Sequence, residues 1–98
     1  MRSQNVKLIQ KVRVKNKQGL HTRPATAIVK LLQNSKSQVR FTCRKETINA
    51  KSILSILMLA ATRNSLITIS IEGEDAGETM EKLVAAFEAQ FGEALGGG

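Results

Sequence analysis

Apolar residues alternate with polar ones in three short segments of this chain, and this period of two limits the possible folds more than any other feature of the sequence. The segments are 6–14, 39–43 and 66–71. Alternation places every second side chain on the same face of a strand, so each segment predicts a strand with one face in the core and the other in water. A fourth, shorter strand is predicted at 46–50, after a tight turn at Arg44 and Lys45.

Between the strands the apolar spacing changes to that of a helix. A period of i, i+3, i+4 and i+7 runs through Ala25, Ile28, Val29 and Leu32. It predicts a first helix that begins just after His21. A second helix, apolar almost all round, is predicted at 52–61. Asp75 and Glu78 have the spacing of a capping box at the start of a third helix, and Gly92 predicts its C-terminal cap. The third helix carries its apolar stripe on Met80, Leu83, Val84, Phe87 and Phe91.

The predicted element order is β-α-β-β-α-β-α, in a single domain over residues 1–98. A sheet covered on both faces would have continuously apolar strands, so the alternation favours helices on one face only. We therefore expect an α+β protein, an open-faced two-layer β-sandwich with a four-stranded antiparallel sheet and three helices on one face. The compact part is expected at about 6–92, with a flexible tail at 93–98. A chain of 98 residues can build one core but not a core with a deep, walled active site.

The two halves of the chain differ strongly in charge. Residues 1–51 contain 13 Lys and Arg against one Glu, a net of +12, and residues 52–98 contain two against seven acidic residues, a net of −5. A basic half attracts nucleic acid or an acidic protein. The aromatic residues are Phe41, Phe87 and Phe91. All three take apolar core positions, which leaves no platform for base stacking. An acidic protein partner is favoured over nucleic acid, with a merely solvated basic face as the alternative.

Several classes of protein are excluded by what the sequence lacks. No apolar run is long enough to span a bilayer, and the N-terminus has no secretory signal, so we expect a cytoplasmic protein without a membrane partner. One cysteine and one histidine cannot supply a structural zinc site or an internal disulfide. We expect neither a metal nor a cofactor.

The segment 19–26, Gly-Leu-His-Thr-Arg-Pro-Ala-Thr, contains the only histidine and the only proline of the chain. A helix that starts after His21 directs its first free amides, those of Thr22 and Arg23, towards an anion over the imidazole ring. Pro24 suits a first helical turn, and Arg23 can donate a planar pair of hydrogen bonds to phosphate oxygens. A neutral imidazole can attack phosphorus near pH 7 and hold the phosphoryl group as a labile phosphoramidate. A capping or surface histidine remains the alternative.

Three motifs, "GLHTRPA", "INAKSILSILMLAA" and "ITISIEGEDA", stand in the order found in the HPr family. The chain resembles these phosphocarriers of the phosphoenolpyruvate-dependent phosphotransferase system from about residue 6 to 92. The "LMLAA" and "FGE" stretches look closest to the nitrogen-regulatory branch. The resemblance implies a monomeric, stoichiometric phosphoryl carrier rather than a turnover enzyme. Its partners would be enzyme I, an EIIA-type acceptor and, in some bacteria, an HPr kinase/phosphorylase.

The resemblance also implies roles for single residues. His21 would be phosphorylated on Nδ1 by enzyme I, Arg23 would attend the phosphoryl group with the amides at Thr22, and Pro24 would shape the start of the helix. Ser52 matches the serine that a regulatory kinase phosphorylates in some bacteria. Its position also makes it the N-cap of the second helix, independently of any kinase.

The second helix contains more apolar residues than one face can bury, which indicates a docking patch. The resemblance implies that the start of this helix lies beside the active histidine, so we expect Ile53, Leu54 and Leu57 to contact partners, and Ile56 and Leu59 to lie in the core. A basic rim for acidic partners is expected at Lys17, Lys30 and Lys51, with plain solvation as the alternative for each. Where many family members have a glycine-rich turn after this helix, this chain has residues 60–65, and a left-handed residue is expected at Asn64.

Three functions remain after these arguments. The first is a phosphocarrier that cycles between histidine and phosphohistidine, for sugar uptake or its regulation. The second is a regulatory protein that acts by docking, with its phosphorylation state signalling carbon or nitrogen status. The third, a nucleic-acid-binding module, rests on the basic half alone.

Overall fold

A computed structural model describes residues 6–96 of the chain, with side chains up to Glu93. Its elements are β1 (Val6–Arg13), α1 (Thr22–Leu32), β2 (Gln38–Cys43), β3 (Glu46–Asn49), α2 (Ile53–Leu59), β4 (Leu66–Gly73) and α3 (Ala76–Glu88). A 3-10 segment with an internal kink follows at Gln90–Gly96, and we call it the C-terminal segment. The predicted order β-α-β-β-α-β-α is confirmed. Residues 97 and 98 of the predicted flexible tail lie outside the described part.

The four strands form one antiparallel sheet in the order β1-β4-β2-β3. The three helices cover one face of this sheet, as the alternation predicted. Phe41 of β2 and Phe87 of α3 meet in the core with ring centroids 5.8 Å apart. This edge-to-face contact joins the sheet to the helical layer, since both side chains are buried. The predicted α+β fold with one covered face is therefore confirmed.

The other face of the sheet is open. Ile9, which interrupts the alternation of β1, lies on this face opposite Ser70 of β4, and its side chain is 63% exposed. Val12, three residues later, points to the opposite face of the strand and is buried.

No helix within residues 6–96 has both the length and the apolarity needed to cross a membrane.

Helix α2 is shorter at its C-terminal end than the predicted 52–61. Ser52 is its N-cap, as expected, and accepts a hydrogen bond from the Ser55 amide at 3.2 Å. Ala60 then adopts a left-handed conformation with φ of 53°, and Asn64 follows with φ of 75°. The predicted left-handed Asn64 is confirmed, but Ala60 was missed. Arg44 satisfies the exposed end of the helix by donating to the carbonyl of Leu59 at 2.8 Å.

The predicted capping box at the start of α3 is wrong. Asp75 is the N-cap residue, but its side chain makes no hydrogen bond to the helix amides. Its carboxylate instead accepts hydrogen bonds from the hydroxyls of Ser35 and Ser37 and from the amide of Lys36. These donors lower the pKa of Asp75 to about 2, with the Ser37 hydroxyl as the largest cause. The carboxylate thus joins the loop after α1 to α3.

The end of α3 also differs from the prediction. The helix ends at Glu88, so Phe91 does not continue the helical stripe. Gln90, Phe91 and Gly92 have successive φ values of 55°, 52° and 82°, which turn the chain back. The ring of Phe91 still packs on that of Phe87, with ring centroids 5.0 Å apart. The reversal therefore keeps the aromatic contact that a continued helix would have made. The prediction that Gly92 caps α3 is wrong, because the helix is already capped at Ala89 and Gly92 lies within this later reversal.

Candidate functional site

The loop before α1 fixes the position of His21. Gly19 has φ of +71°, and a Cβ atom there would lie 2.2 Å from the carbonyl oxygen of Ala61. The amide of Leu20 donates to that same oxygen at 3.0 Å, and the Leu20 side chain is buried. Only glycine allows this approach, so the loop is anchored, immediately before the histidine, to the turn that follows α2.

His21 is the N-cap residue of α1, and its carbonyl accepts the first helical hydrogen bond from the Ala25 amide at 3.0 Å. Its ring makes no capping bond to the helix. The amides of Thr22 and Arg23 stand in the first turn, where a helix provides no acceptor. Pro24, in the same turn and buried, has no N–H to satisfy. The helix start expected after His21, with Pro24 in the first turn, is therefore present.

An open cleft of about 770 Å³ lies at this helix end. It is lined by Gln18, His21, Thr22, Arg23, Thr26, Ala27, Lys30 and Glu93. The His21 side chain is 33% exposed, so one part of the ring is packed and another faces the cleft. Arg23 and Lys30 are exposed and bring two positive charges to the same cleft. The arrangement can receive an anion beside an accessible imidazole.

A carboxylate from the far end of the chain contacts the histidine. Nε2 of His21 lies 2.8 Å from Oε2 of Glu93, whose side chain is only 13% exposed. The other oxygen of Glu93 accepts a hydrogen bond from Nδ2 of Asn16 at 2.5 Å. The predicted tail at 93–98 thus includes a residue of the cleft, and the flexibility of that tail stays a prediction.

Asn16 connects the C-terminal segment to the loop before α1. It is fully buried, and its Nδ2 also donates to the carbonyl of Gln90 at 2.9 Å. Its Oδ1 atom has no hydrogen-bond partner among the described residues. Sequence reasoning missed Asn16, Gln90 and Glu93. The only indication was the glycine at position 92, which predicts a turn but not where the next side chain points.

The residues predicted for docking lie on α2. Ile53 and Leu54 are exposed and Leu57 is half-buried, whereas Ile56 and Leu59 are in the core as expected. Within the described part of the chain, none of these residues lines the His21 cleft. Met58, which was not singled out as a contact residue, is 71% exposed. The apolar surface of α2 therefore consists of the exposed Ile53, Leu54 and Met58 and the half-buried Leu57, and we call it the α2 patch.

The predicted basic rim is only partly formed. Lys30 lines the cleft and Lys17 is exposed. Lys51 is half-buried and donates through Nζ to the carbonyl of Ser35 at 2.7 Å. Its ammonium group therefore provides a hydrogen-bond donor to a backbone carbonyl after α1, a role that its place in the sequence did not indicate.

No group of three or more His, Cys, Asp or Glu side chains suited to a metal ion occurs in residues that the structure describes.

Comparison with known proteins gives a consistent result. Residues 8–89 match the family model described as "PTS HPr component phosphorylation site". The phosphocarrier protein HPr of Chlamydia muridarum is 44% identical over 80 residues, which cover 82% of this chain and 77% of that protein. The crystal structure of HPr-C-His from Thermoanaerobacter tengcongensis superposes with a TM-score of 0.84 at 34% identity, covering 87% of this chain and 96% of that one. The crystal structure of a phosphocarrier protein HPr from Bacillus anthracis superposes with a TM-score of 0.77 at 38% identity, covering 81% of this chain and 94% of that one.

Proposed function

The chain belongs to the HPr family of the phosphotransferase system, and on this premise we propose that it is a phosphocarrier acting through His21. In this proposal His21 accepts a phosphoryl group from phosphorylated enzyme I and passes it to an EIIA-type acceptor in the cytoplasm. The protein is then a stoichiometric intermediate rather than an enzyme. The observation that carries the proposal is the partly exposed imidazole at the start of α1, in an open cleft that also contains the cationic side chains of Arg23 and Lys30.

The open shape of the cleft suits a carrier. A donor and an acceptor must each reach the same ring nitrogen, so a deep pocket would prevent the exchange. Transfer is an in-line displacement at phosphorus, in which the carrier supplies position and charge. Glu93 contacts Nε2, which leaves Nδ1 as the ring nitrogen without this contact, in agreement with phosphorylation on Nδ1.

The residues around His21 have separate parts in this proposal. The amides of Thr22 and Arg23 bind phosphoryl oxygens at the positive end of the helix dipole, and Arg23 adds its guanidinium group. Pro24 holds the first turn in helical geometry without requiring a hydrogen-bond acceptor. Lys30, in the wall of the cleft, adds a second positive charge that compensates the negative charge of the phosphoryl group.

Helix α2 supplies two further features. The α2 patch presents apolar side chains to enzyme I and to the acceptor, with hydrophobic contact as the driving force. Ser52 caps the helix, and its phosphorylation by an HPr kinase/phosphorylase remains a prediction that the cap geometry neither requires nor opposes. A regulatory protein that acts by docking is the second candidate function, favoured by the exposed α2 patch, and it is compatible with phosphorylation of His21.

The test is intact-mass spectrometry after incubation with enzyme I, phosphoenolpyruvate and magnesium. We expect the native protein to gain one acid-labile phosphoryl group and His21→Ala to gain none. Arg23→Lys keeps the charge but loses the planar pair of donors, so it should be phosphorylated about tenfold more slowly. If the native protein stays unmodified by an enzyme I that is active on another carrier, phosphotransfer is wrong and docking by the α2 patch becomes the leading function.

A further inference from the structure

We infer that Glu93 is a positioning residue for phosphoryl transfer, because its carboxylate keeps the proton of the His21 ring on Nε2 and leaves the lone pair on Nδ1. This inference rests on the proposed function and adds to it a residue from the C-terminal segment. The 2.8 Å separation of His21 Nε2 and Glu93 Oε2 is that of a charge-assisted hydrogen bond. Since the Glu93 side chain is mostly shielded from water, the bond is screened less than a surface ion pair.

The carboxylate is held in place from its other side. Asn16 directs both of its amide hydrogens at the C-terminal segment, one to Glu93 Oε1 and one to the Gln90 carbonyl. Asn16 is itself fully buried, so its side chain has little room to turn away. The chain reversal at Gln90 and Phe91 and the packing of Phe91 on Phe87 fix the backbone that carries Glu93. Glu93 is therefore positioned before any partner arrives, which is what orientation of a histidine requires.

The chemical step needs no proton transfer when Nε2 carries the hydrogen. The Nδ1 lone pair attacks phosphorus, the N–P bond forms, and the bond between phosphorus and the donor breaks with its electron pair leaving on the donor. The ring becomes a phosphorylated imidazolium that keeps its Nε2–H, and the carboxylate of Glu93 stabilises the new positive charge. In the second transfer the N–P electron pair returns to Nδ1, and the neutral ring is restored with the same proton.

The direction of the contact also matters. Glu93 binds the ring nitrogen that does not receive the phosphoryl group, so its negative charge lies on the far side of the ring from Nδ1. The cations of the cleft, Arg23 and Lys30, are available for the phosphoryl oxygens. The negative charge of Glu93 thus faces the imidazolium, and the positive charges of Arg23 and Lys30 face the phosphoryl group.

Nitrogen NMR tests the positioning role without phosphotransfer. The chain has one histidine, so ¹⁵N-labelled histidine gives one pair of ring signals, measured at a pH where the ring is neutral. We expect the ratio of Nε2–H to Nδ1–H forms in the native protein to exceed that of the urea-unfolded chain at least about fivefold. In Glu93→Gln the ratio should fall towards the unfolded value. Glu88→Gln is the matched control, since that exposed carboxylate pairs with Lys15 and should leave the ratio unchanged.

The transfer rate from phosphorylated enzyme I provides the second measurement. Glu93→Gln should lower the maximal rate about 10- to 100-fold, as loss of a group that orients a histidine commonly does, with little change in the KM for the donor. An unchanged nitrogen ratio or an unchanged rate in Glu93→Gln would overturn the role of Glu93 and leave phosphotransfer by His21 standing. A native protein that takes up no phosphoryl group overturns the proposed function itself, even where the nitrogen ratio reports the hydrogen bond.

Discussion

Nε2 of His21 and a carboxylate oxygen of Glu93 lie 2.8 Å apart, although one residue opens α1 and the other follows the last helix. The contact brings the C-terminal segment against the loop that precedes α1, at the cleft that contains His21. Asn16, buried between the two, donates to both Glu93 and the Gln90 carbonyl. The ends of the fold therefore meet at the proposed site of chemistry.

The connection through Asn16 can be measured by a double-mutant cycle. Asn16→Ala removes two hydrogen bonds, which lowers stability, and also a buried oxygen without a partner in the described part of the chain, which raises it, so its effect alone does not measure the contact. The double variant Asn16→Ala/Glu93→Ala should lose less free energy of unfolding than the two single variants lose together, because both single changes break the same charge-assisted bond. The difference should be at least about 1 kcal/mol. Urea unfolding of the four proteins gives the coupling, and strictly additive effects would contradict the contact.

The close approach at Gly19 predicts a large effect of a single methyl group. Gly19→Ala places a Cβ atom 2.2 Å from the Ala61 carbonyl oxygen at a φ of +71°, and should lower the free energy of unfolding by more than about 2 kcal/mol. Gly77→Ala is the matched control, because a Cβ there meets nothing within 4 Å in a helix. It should stabilise the protein by up to about 1 kcal/mol. Thermal unfolding checks both, and equal effects would show that Gly19 has no special conformation.

The layered fold could be predicted because its cause is local. Alternation in β4 places Ile67, Ile69 and Ile71 on one face of the strand whatever the rest of the chain does, and that face is the one the helices cover. The start of α1 at the 19–26 segment is equally local, since Pro24 and the N-cap position depend on neighbouring residues. Candidate residues His21 and Arg23 were found for the same reason.

The failures concern residues whose environment comes from distant parts of the chain. Phe91 stands four residues after Phe87, the spacing of a helix, yet the chain reverses there through left-handed residues that are not glycine. Asp75 has the spacing of a capping box, but hydroxyl and amide donors after α1 compete for its carboxylate. Glu93 becomes a neighbour of His21 only after that reversal, so no local pattern in the sequence could have placed it there.

The carboxylate of Asp75 predicts how stability depends on pH. Its pKa is lowered from 3.8 to about 2 by the Ser37 hydroxyl, the Lys36 amide and the Ser35 hydroxyl. The folded state therefore binds the proton less readily than the unfolded state, so the stabilisation is fully present above pH 4 and is lost as the pH falls towards 2. Asp75→Asn should be less stable than the native protein at pH 6, and the difference should shrink steadily below pH 4. Urea unfolding across this range checks it, and a constant difference would show that the carboxylate charge is not responsible.

The α2 patch predicts that binding and stability can be separated. Leu54 and Met58 are 68% and 71% exposed, so Leu54→Gln and Met58→Gln should change the free energy of unfolding by no more than about 0.5 kcal/mol. Each should weaken binding of enzyme I at least about fivefold, as truncation of an apolar contact at an interface centre does.

Ile9→Gln is the control for this comparison, because Ile9 is similarly exposed, at 63%, but lies on the open face of the sheet. Isothermal titration calorimetry with enzyme I compares the three variants. Equal weakening by Ile9→Gln would assign the effect to general loss of apolar surface, whereas weakening confined to Leu54 and Met58 locates the docking surface on α2. Ala61, two residues after the end of this helix, accepts a hydrogen bond from Leu20, so a partner seated on the α2 patch binds an element that leads directly to the contact holding the loop before His21.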